Sequence, residues 1–174
     1  MFDVDAFISE CLAANAEGTP QLAIKEVLER AVAAPDDVAS GLAAKPGVAV
    51  MYRDAGLTIA SVVVPAGAPR SLPHDHRMWA LVGIYGGQED NQFFRRATSG
   101  LEESGGRSLR VSETLAMGTE TIHAIENPLA NSSLAAIHVY GGDLIAANRS
   151  MWTLPDYDEQ PYEDTKVLGA PIRQ

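Results

Sequence analysis

The stretch that decides the fold runs from Pro73 to Arg96 and reads PHDHRMWALVGIYGGQEDNQFFRR. It holds two runs of β-formers, Met78 to Tyr85 and Gln92 to Arg96, with Gly86-Gly87 after the first. Short apolar runs punctuated by glycine or proline are the mark of strands. Gly86-Gly87 reads as a hairpin turn or bulge; with no Walker lysine and no following helix it is not a phosphate loop. The same texture continues outward on both sides. Val48 to Arg53, Leu57 to Val64, Ser108 to Leu115, Ile122 to Asn127, Leu134 to Tyr140 and Met151 to Leu154 are further strand candidates. Many short strands with no alternating helices predict a sandwich or barrel, and argue against a doubly wound parallel sheet. Gly100 to Gly106 reads as an exposed loop.

Residues 1–46 have a different period. Val4, Phe7, Ile8, Cys11 and Leu12 follow helical spacing, as do Ile24, Val27, Leu28, Ala31 and Val32. Thr19-Pro20 reads as the start of the second helix, and Pro35-Asp36-Asp37 as that of a short third one. The expected organisation is one domain: a helical segment (1–46) packed on a β-barrel (47–154), then a surface tail rich in Asp, Glu, Tyr and Pro (155–174).

Composition narrows the function classes. The chain has 174 residues and a formal charge of -10, from 13 Lys+Arg against 23 Asp+Glu. That balance disfavours binding to nucleic acid. One cysteine excludes an internal disulfide framework and a thiolate-cluster zinc site. The N-terminus has no basic n-region followed by a long apolar stretch, and no run is long enough to span a bilayer. A cytoplasmic protein with no membrane partner is the expectation.

Four histidines are the chemically informative residues. His74 and His76 stand two apart, so on a strand both point to one face. Two imidazoles on one face chelate Fe, Zn, Cu or Ni. A third, His123, opens an apolar strand that antiparallel topology can bring beside the pair. In Ala136-Ile137-His138-Val139-Tyr140, alternation places Ala136, His138 and Tyr140 on one face, and Ile137 and Val139 on the other. Taken alone, His138 reads as a core histidine bonded to a neighbour. Ser-His-Asp hydrolysis lacks a nucleophile elbow here. Glu89 and Glu126 read either as extra ligands or as solvated residues paired with Arg95 or Arg96.

The segment from Pro73 to Arg96, together with IHAIENPLANSSLAAIHVYGGDL (residues 122–144) and Met51-Tyr52-Arg53, resembles the cysteine dioxygenase-like thiol dioxygenases of the cupin superfamily. The likeness covers roughly positions 51 to 142, and the helices before residue 46 also match. It implies a mainly β fold, a cupin double-stranded β-helix (a jelly-roll barrel) preceded by an N-terminal helical segment. It implies a mononuclear Fe(II) site with His74, His76 and His123 as ligands; Zn or Ni also fit such a ligand set. The glutamate that many cupins carry after the histidine pair is absent, since Ala80 and Leu81 stand at its positions.

The resemblance further implies His138 and Tyr140 as the catalytic pair, and Arg53 as the anchor of a substrate carboxylate. Arg70 and Arg77 are the alternatives for that anchor. A Cys–Tyr cross-link is not expected, because the only cysteine is Cys11. The implied partners are a small-molecule substrate and O2, with a homodimer as the candidate assembly. Two other readings stay open: a three-histidine cupin that cleaves a diketone C–C bond, and a non-catalytic cupin that binds a metal or ligand.

Overall fold

The computed structural model describes residues 1–98 and 100–174. Three helices come first: α1 (Val4–Asn15), α2 (Pro20–Val32) and α3 (Pro35–Leu42). Asp3 caps α1 by accepting the Ala6 amide at 3.0 Å. Prolines open α2 and α3, where the missing N–H has no intrahelical partner to lose. Thr19 occupies the N-cap of α2 without a side-chain capping bond.

Eleven strands follow among the described residues: β1 (Gly47–Arg53), β2 (Thr58–Val64), β3 (His74–Asp75), β4 (Ala80–Gly86), β5 (Gln88–Ala97), β6 (Gly100–Arg110), β7 (Thr114–Met117), β8 (Ile122–Glu126), β9 (Leu134–Tyr140), β10 (Ser150–Thr153) and β11 (Asp158–Pro161). A short helix, α4 (Asp164–Val167), precedes the C-terminus. The strands make two antiparallel sheets, ordered β1-β2-β9-β4-β7 and β11-β10-β3-β8-β5-β6. From β2 to β9 the chain changes sheet at every connection except the β5–β6 hairpin. That path is a jelly roll. No helix among the described residues is long and apolar enough to cross a membrane.

Two sequence expectations are corrected. Gly100 to Gly106 is not a loop: it forms the first part of β6, paired with β5 from Ala97↔Gly100 onward. Cross-strand pairing overrides the local preference of its glycines. Ser108 to Leu115 is not continuous either, because the chain turns after Arg110, where Ser112 takes a left-handed φ of 70°. At Gly86-Gly87 the chain crosses from one sheet to the other, with a register irregularity between Ile84 and Gly86.

The first sheet is buried on both sides. Ile59, Leu81, Ile137 and Val139 face the helices and pack with Phe7, Cys11, Ile24, Leu28 and Val32. Burying a side chain such as Leu28 contributes about 1.5–3 kcal/mol. Close docking of α2 needs Gly83. A Cβ built there would lie 2.8 Å from Leu28 Cγ and 2.9 Å from Val32 Cγ1. The opposite face carries Ala136 and Tyr140 into the barrel interior with Val62, Val82 and Leu115. The alternation along β9 is therefore the one expected from its sequence.

The last twenty residues do more than cover the surface. β11 pairs with β10. Leu168 and Ile172 pack against the interior cluster. Arg173 bonds to β1 in both directions: its amide donates to Val48 O at 2.9 Å, and its carbonyl accepts from Val50 N at 2.8 Å.

Candidate metal centre

The register of the second sheet assembles the site. His74 of β3 lies directly opposite His123 of β8, so their side chains are nearest neighbours on one face. His76 follows β3 by one residue and keeps the two-residue spacing. Arg77 then takes a left-handed φ of 60° and turns the chain towards β4. The ring centroids form a nearly equilateral triangle: 5.2 Å from His74 to His76, 4.8 Å from His74 to His123, and 5.0 Å from His76 to His123. One nitrogen from each ring lies within 4.8 Å of the others. His123 Nε2 stands 3.4 Å from His76 Nε2. Two nitrogens bound to one ion at about 2.0–2.1 Å sit roughly 3–3.5 Å apart, so the arrangement fits a metal.

Two of the three rings are oriented by a hydrogen bond from Nδ1. His74 Nδ1–H donates to Leu72 O at 2.9 Å, and His123 Nδ1–H donates to Asn91 Oδ1 at 2.8 Å. Each bond leaves Nε2 as a lone-pair donor. Burial holds the His74 imidazolium down, to a pKa of about 4. Burial, then the neighbouring imidazoles, hold His76 and His123 well below the usual histidine range. All three are neutral at pH 7, the form that binds metal.

Behind His123 runs a buried polar chain. Asn91 Nδ2 donates to Glu89 Oε1 at 2.9 Å. Glu89 Oε2 faces His138 Nε2 at 3.5 Å. His138 Nδ1 meets the Tyr140 hydroxyl at 2.9 Å. The Tyr140 ring stands edge-on to His76, with centroids 5.0 Å apart. Burial pushes the Tyr140 phenol well above its ordinary pKa, so it stays protonated. Glu89 is 0% exposed and pairs with neither basic neighbour, since Arg95 holds Glu102 and Arg96 holds Glu159. Glu126 is exposed and lies outside the histidine cluster.

The structure does not bring Arg53 to this cavity. Its guanidinium is taken by Asp143, Nε to Oδ1 at 2.7 Å and Nη2 to Oδ2 at 3.0 Å, while Nη1 donates to Gln174. Arg77 binds Asp75 at 2.8 Å and Ser150 Oγ at 3.0 Å. Arg70 lies over Phe94. The arginine in the cavity wall is Arg149, which sequence reasoning missed. It is 8% exposed, stacks 3.5 Å above the Tyr162 ring, and keeps 3.7 Å from Asp164. Its buried Nε–H has no hydrogen-bond partner. Arg149 lies in the connection before β10, where no hydrophobic period marks a residue as inward. The usable signal was its nearness to Met151, which pairs with His74.

The histidine cavity itself holds about 20 Å³, room for roughly one water-sized centre. Arg149 and Tyr162 separate it from a polar recess of about 240 Å³. Val48, Val62, Ile125 and Leu168 separate it from an apolar groove of about 520 Å³. Cys11 is remote, in the helical core, and burial raises its thiol to about 12.

The two antiparallel sheets and the crossings between them make the architecture a double-stranded β-helix. Among solved structures, the chain is similar to an RmlC-like cupin family protein from Methanocaldococcus jannaschii, with a TM-score of 0.47 and 15% identity over 58% of this chain and 84% of that one. It is also similar to the DMSP lyase DddQ from Ruegeria pomeroyi DSS-3, with a TM-score of 0.44 and 19% identity over 56% of this chain. An oxalate oxidase in complex with glycolate gives a TM-score of 0.43 and 18% identity over 50% of this chain. The matched part spans 44% of the lyase chain and 42% of the oxidase chain. No protein-family model matches the chain.

Proposed function

We propose that this cupin is a mononuclear non-haem Fe(II) dioxygenase that oxidises a small carboxylate-bearing thiol to its sulfinic acid. His74, His76 and His123 would hold the metal. The observation that carries the reading is the buried guanidinium of Arg149, with a free Nε–H, in the wall of a cavity that also holds three neutral metal-ligating histidines.

The reaction balances as R–SH + O2 → R–SO2H. Sulfur loses four electrons, both oxygen atoms end on sulfur, and no further reductant is needed. Iron, if bound there, would supply a dipositive Lewis-acidic centre that favours an anionic thiolate, because three neutral imidazoles would leave its charge undiminished. The chain supplies the rest. Arg149 Nε–H binds the carboxylate, and in a dry site that charge-assisted bond is strong. Its stack on Tyr162 keeps the guanidinium oriented. Tyr140 is protonated; its single O–H, given to His138 in the resting site, would turn to the oxygen being transferred. The cavity holds about 20 Å³, so a thiol would enter only as the Arg149–Tyr162 wall moves aside, and would then displace water from the reacting atoms.

The test is O2 uptake by anaerobically iron-loaded protein with thioglycolate, 3-mercaptopropionate and cysteine, set against cysteamine, which lacks the carboxylate. The carboxylate thiols should consume one O2 per thiol, and cysteamine should consume far less. Arg149→Gln should raise KM by about tenfold or more. If no thiol drives uptake in iron-loaded protein, the thiol reading is wrong. Uptake with a β-diketone panel instead would support C–C cleavage.

A further inference from the structure

We propose that Glu89 is a positioning residue that sets two histidine tautomers at once. It holds His123 with its Nε2 lone pair toward the histidine cluster, and His138 with its Nδ1 lone pair toward Tyr140. The metal consequence rests on the reading of His74, His76 and His123 as ligands, but the tautomer claim stands apart from it.

The argument is a count of donors and acceptors. Glu89 lies fully buried in β5, between Asn91 and His138. As a carboxylate it offers two acceptor oxygens and no donor. One oxygen takes the Asn91 NH2, so the other end of that amide, Oδ1, must face His123. An acceptor at that place requires the proton on His123 Nδ1, which frees Nε2. Were the Asn91 amide reversed, its NH2 would face His123 Nδ1. The imidazole proton would then move to Nε2, the nitrogen that must hold the metal. Asn91 alone is indifferent to this choice; Glu89 decides it.

The second oxygen does the same work on the other side. Glu89 Oε2 and His138 Nε2 are both buried and without another partner, and they face each other at 3.5 Å. An acceptor there favours a proton on Nε2. His138 Nδ1 is then an acceptor, and the Tyr140 hydroxyl at 2.9 Å is the donor. One side chain thereby couples the ligand on β8 to the phenol on β9, in the opposite sheet.

Glutamine is nearly isosteric but has one acceptor and one donor group. It can serve Asn91 or His138 as Glu89 does, but not both. Glu89→Gln must therefore reverse one of the two tautomers. Glu89→Asp keeps two acceptors and should keep both.

The experiment uses the full chain labelled with 15N-histidine, first without metal, and long-range 1H–15N spectra that report which ring nitrogen carries the proton. The wild type should show Nδ1–H for His123 and Nε2–H for His138; the opposite at either ring overturns the proposal, whatever the variants do. Glu89→Gln should reverse one of them, and both unchanged would overturn it. Reversal in Glu89→Asp as well would assign the tautomers to packing, which also overturns it. Competition for Zn2+ against a chelator adds a second readout. Where His123 is the ring that reverses, affinity should fall about 10–100-fold; where it is His138, affinity should hold. Failure of the wild type to bind Zn2+ or Fe2+ would sink the ligand reading while leaving the tautomer result to be judged on its own.

Discussion

Lowering the pH of the metal-free protein should cost stability before most carboxylates titrate. His74 is held at a pKa of about 4 by burial, against 6.5 for the free side chain. Between those values the unfolded chain binds a proton that the folded chain refuses. Stability therefore falls as pH drops from about 6.5, at up to ~1.4 kcal/mol per pH unit for one such group. From pH 6.5 to 4.5 this amounts to about 2–3 kcal/mol for His74 alone. His76 and His123 are shifted in the same direction and add to the loss. Against a typical total of about 5–15 kcal/mol, the effect is large. Two other groups confine it to that window. Glu159 is held at about 2 by Arg96, so its stabilising share is lost only at lower pH. Asp75 is raised from 3.8 by burial, so it acts in the opposite sense, and only towards the foot of the window. The assay is urea unfolding in chelator at pH 7, 6, 5 and 4.5, repeated with His74→Asn. The wild type should lose at least about 2 kcal/mol and the variant visibly less. A wild-type stability constant to within about 1 kcal/mol from pH 7 to 4.5 would refute the claim that these imidazoles are buried and neutral.

Three further outcomes are expected. Gly83→Ala should lower stability by about 1–3 kcal/mol in chemical denaturation, because the new methyl meets Leu28 and Val32 of α2 at under 3.0 Å; an unchanged midpoint would mean that α2 docks less tightly than described. Tyr140→Phe should keep the fold and metal content but lower kcat by about 10²-fold or more, with KM for the thiol little changed, as measured by O2 uptake. Removing residues 163–174 should speed metal release to a chelator, since Leu168 and Ile172 form part of the cavity wall; an unaltered release rate would show that the tail does not close the site.

What the sequence disclosed depended on the reach of each signal. The two-residue period of strands put His74 with His76, and His138 with Tyr140, on shared faces from the chain alone, while the roles of His138 and Tyr140 came only from the family resemblance. His123 needed only the premise that an antiparallel strand could lie beside them, and β8 does pair with β3 in register. Arg53 was misplaced because its surroundings come from far along the chain: Asp143, after β9, takes its guanidinium. Arg149 went unnoticed because a connecting segment has no period to say which way a side chain points. Glu89 and Asn91 fell between these cases. Their two-residue spacing put them on one face of β5, but only the pairing of Asn91 with Ile125 sets that face beside His123. The glycines of β6 misled for the same reason, since their conformation is decided by β5.

The net charge of -10 is an objection to an anionic substrate only if the protein attracts it from a distance. Arg53, Arg70 and Arg77 do not converge on the cavity, and Arg53 and Arg77 are neutralised by Asp143, Asp75 and Glu159. Under the proposed reading, selection would rest on a single buried guanidinium, where low dielectric makes a charge felt most strongly and salt screens it least. Its field reaches the site: Arg149 contributes to the lowered pKa of His74 and His76, and it opposes the rise at Tyr140. The parts of the site are therefore held to different degrees. The ligands and the phenol lie on strands in the barrel interior. Arg149 and Tyr162 lie on the connection before β10 and the segment after β11, tied together by the Tyr162 amide donating to Arg149 O at 3.0 Å. If the substrate is an anion as proposed, its contacts would fall on these segments, apart from the register that brings the three histidines together.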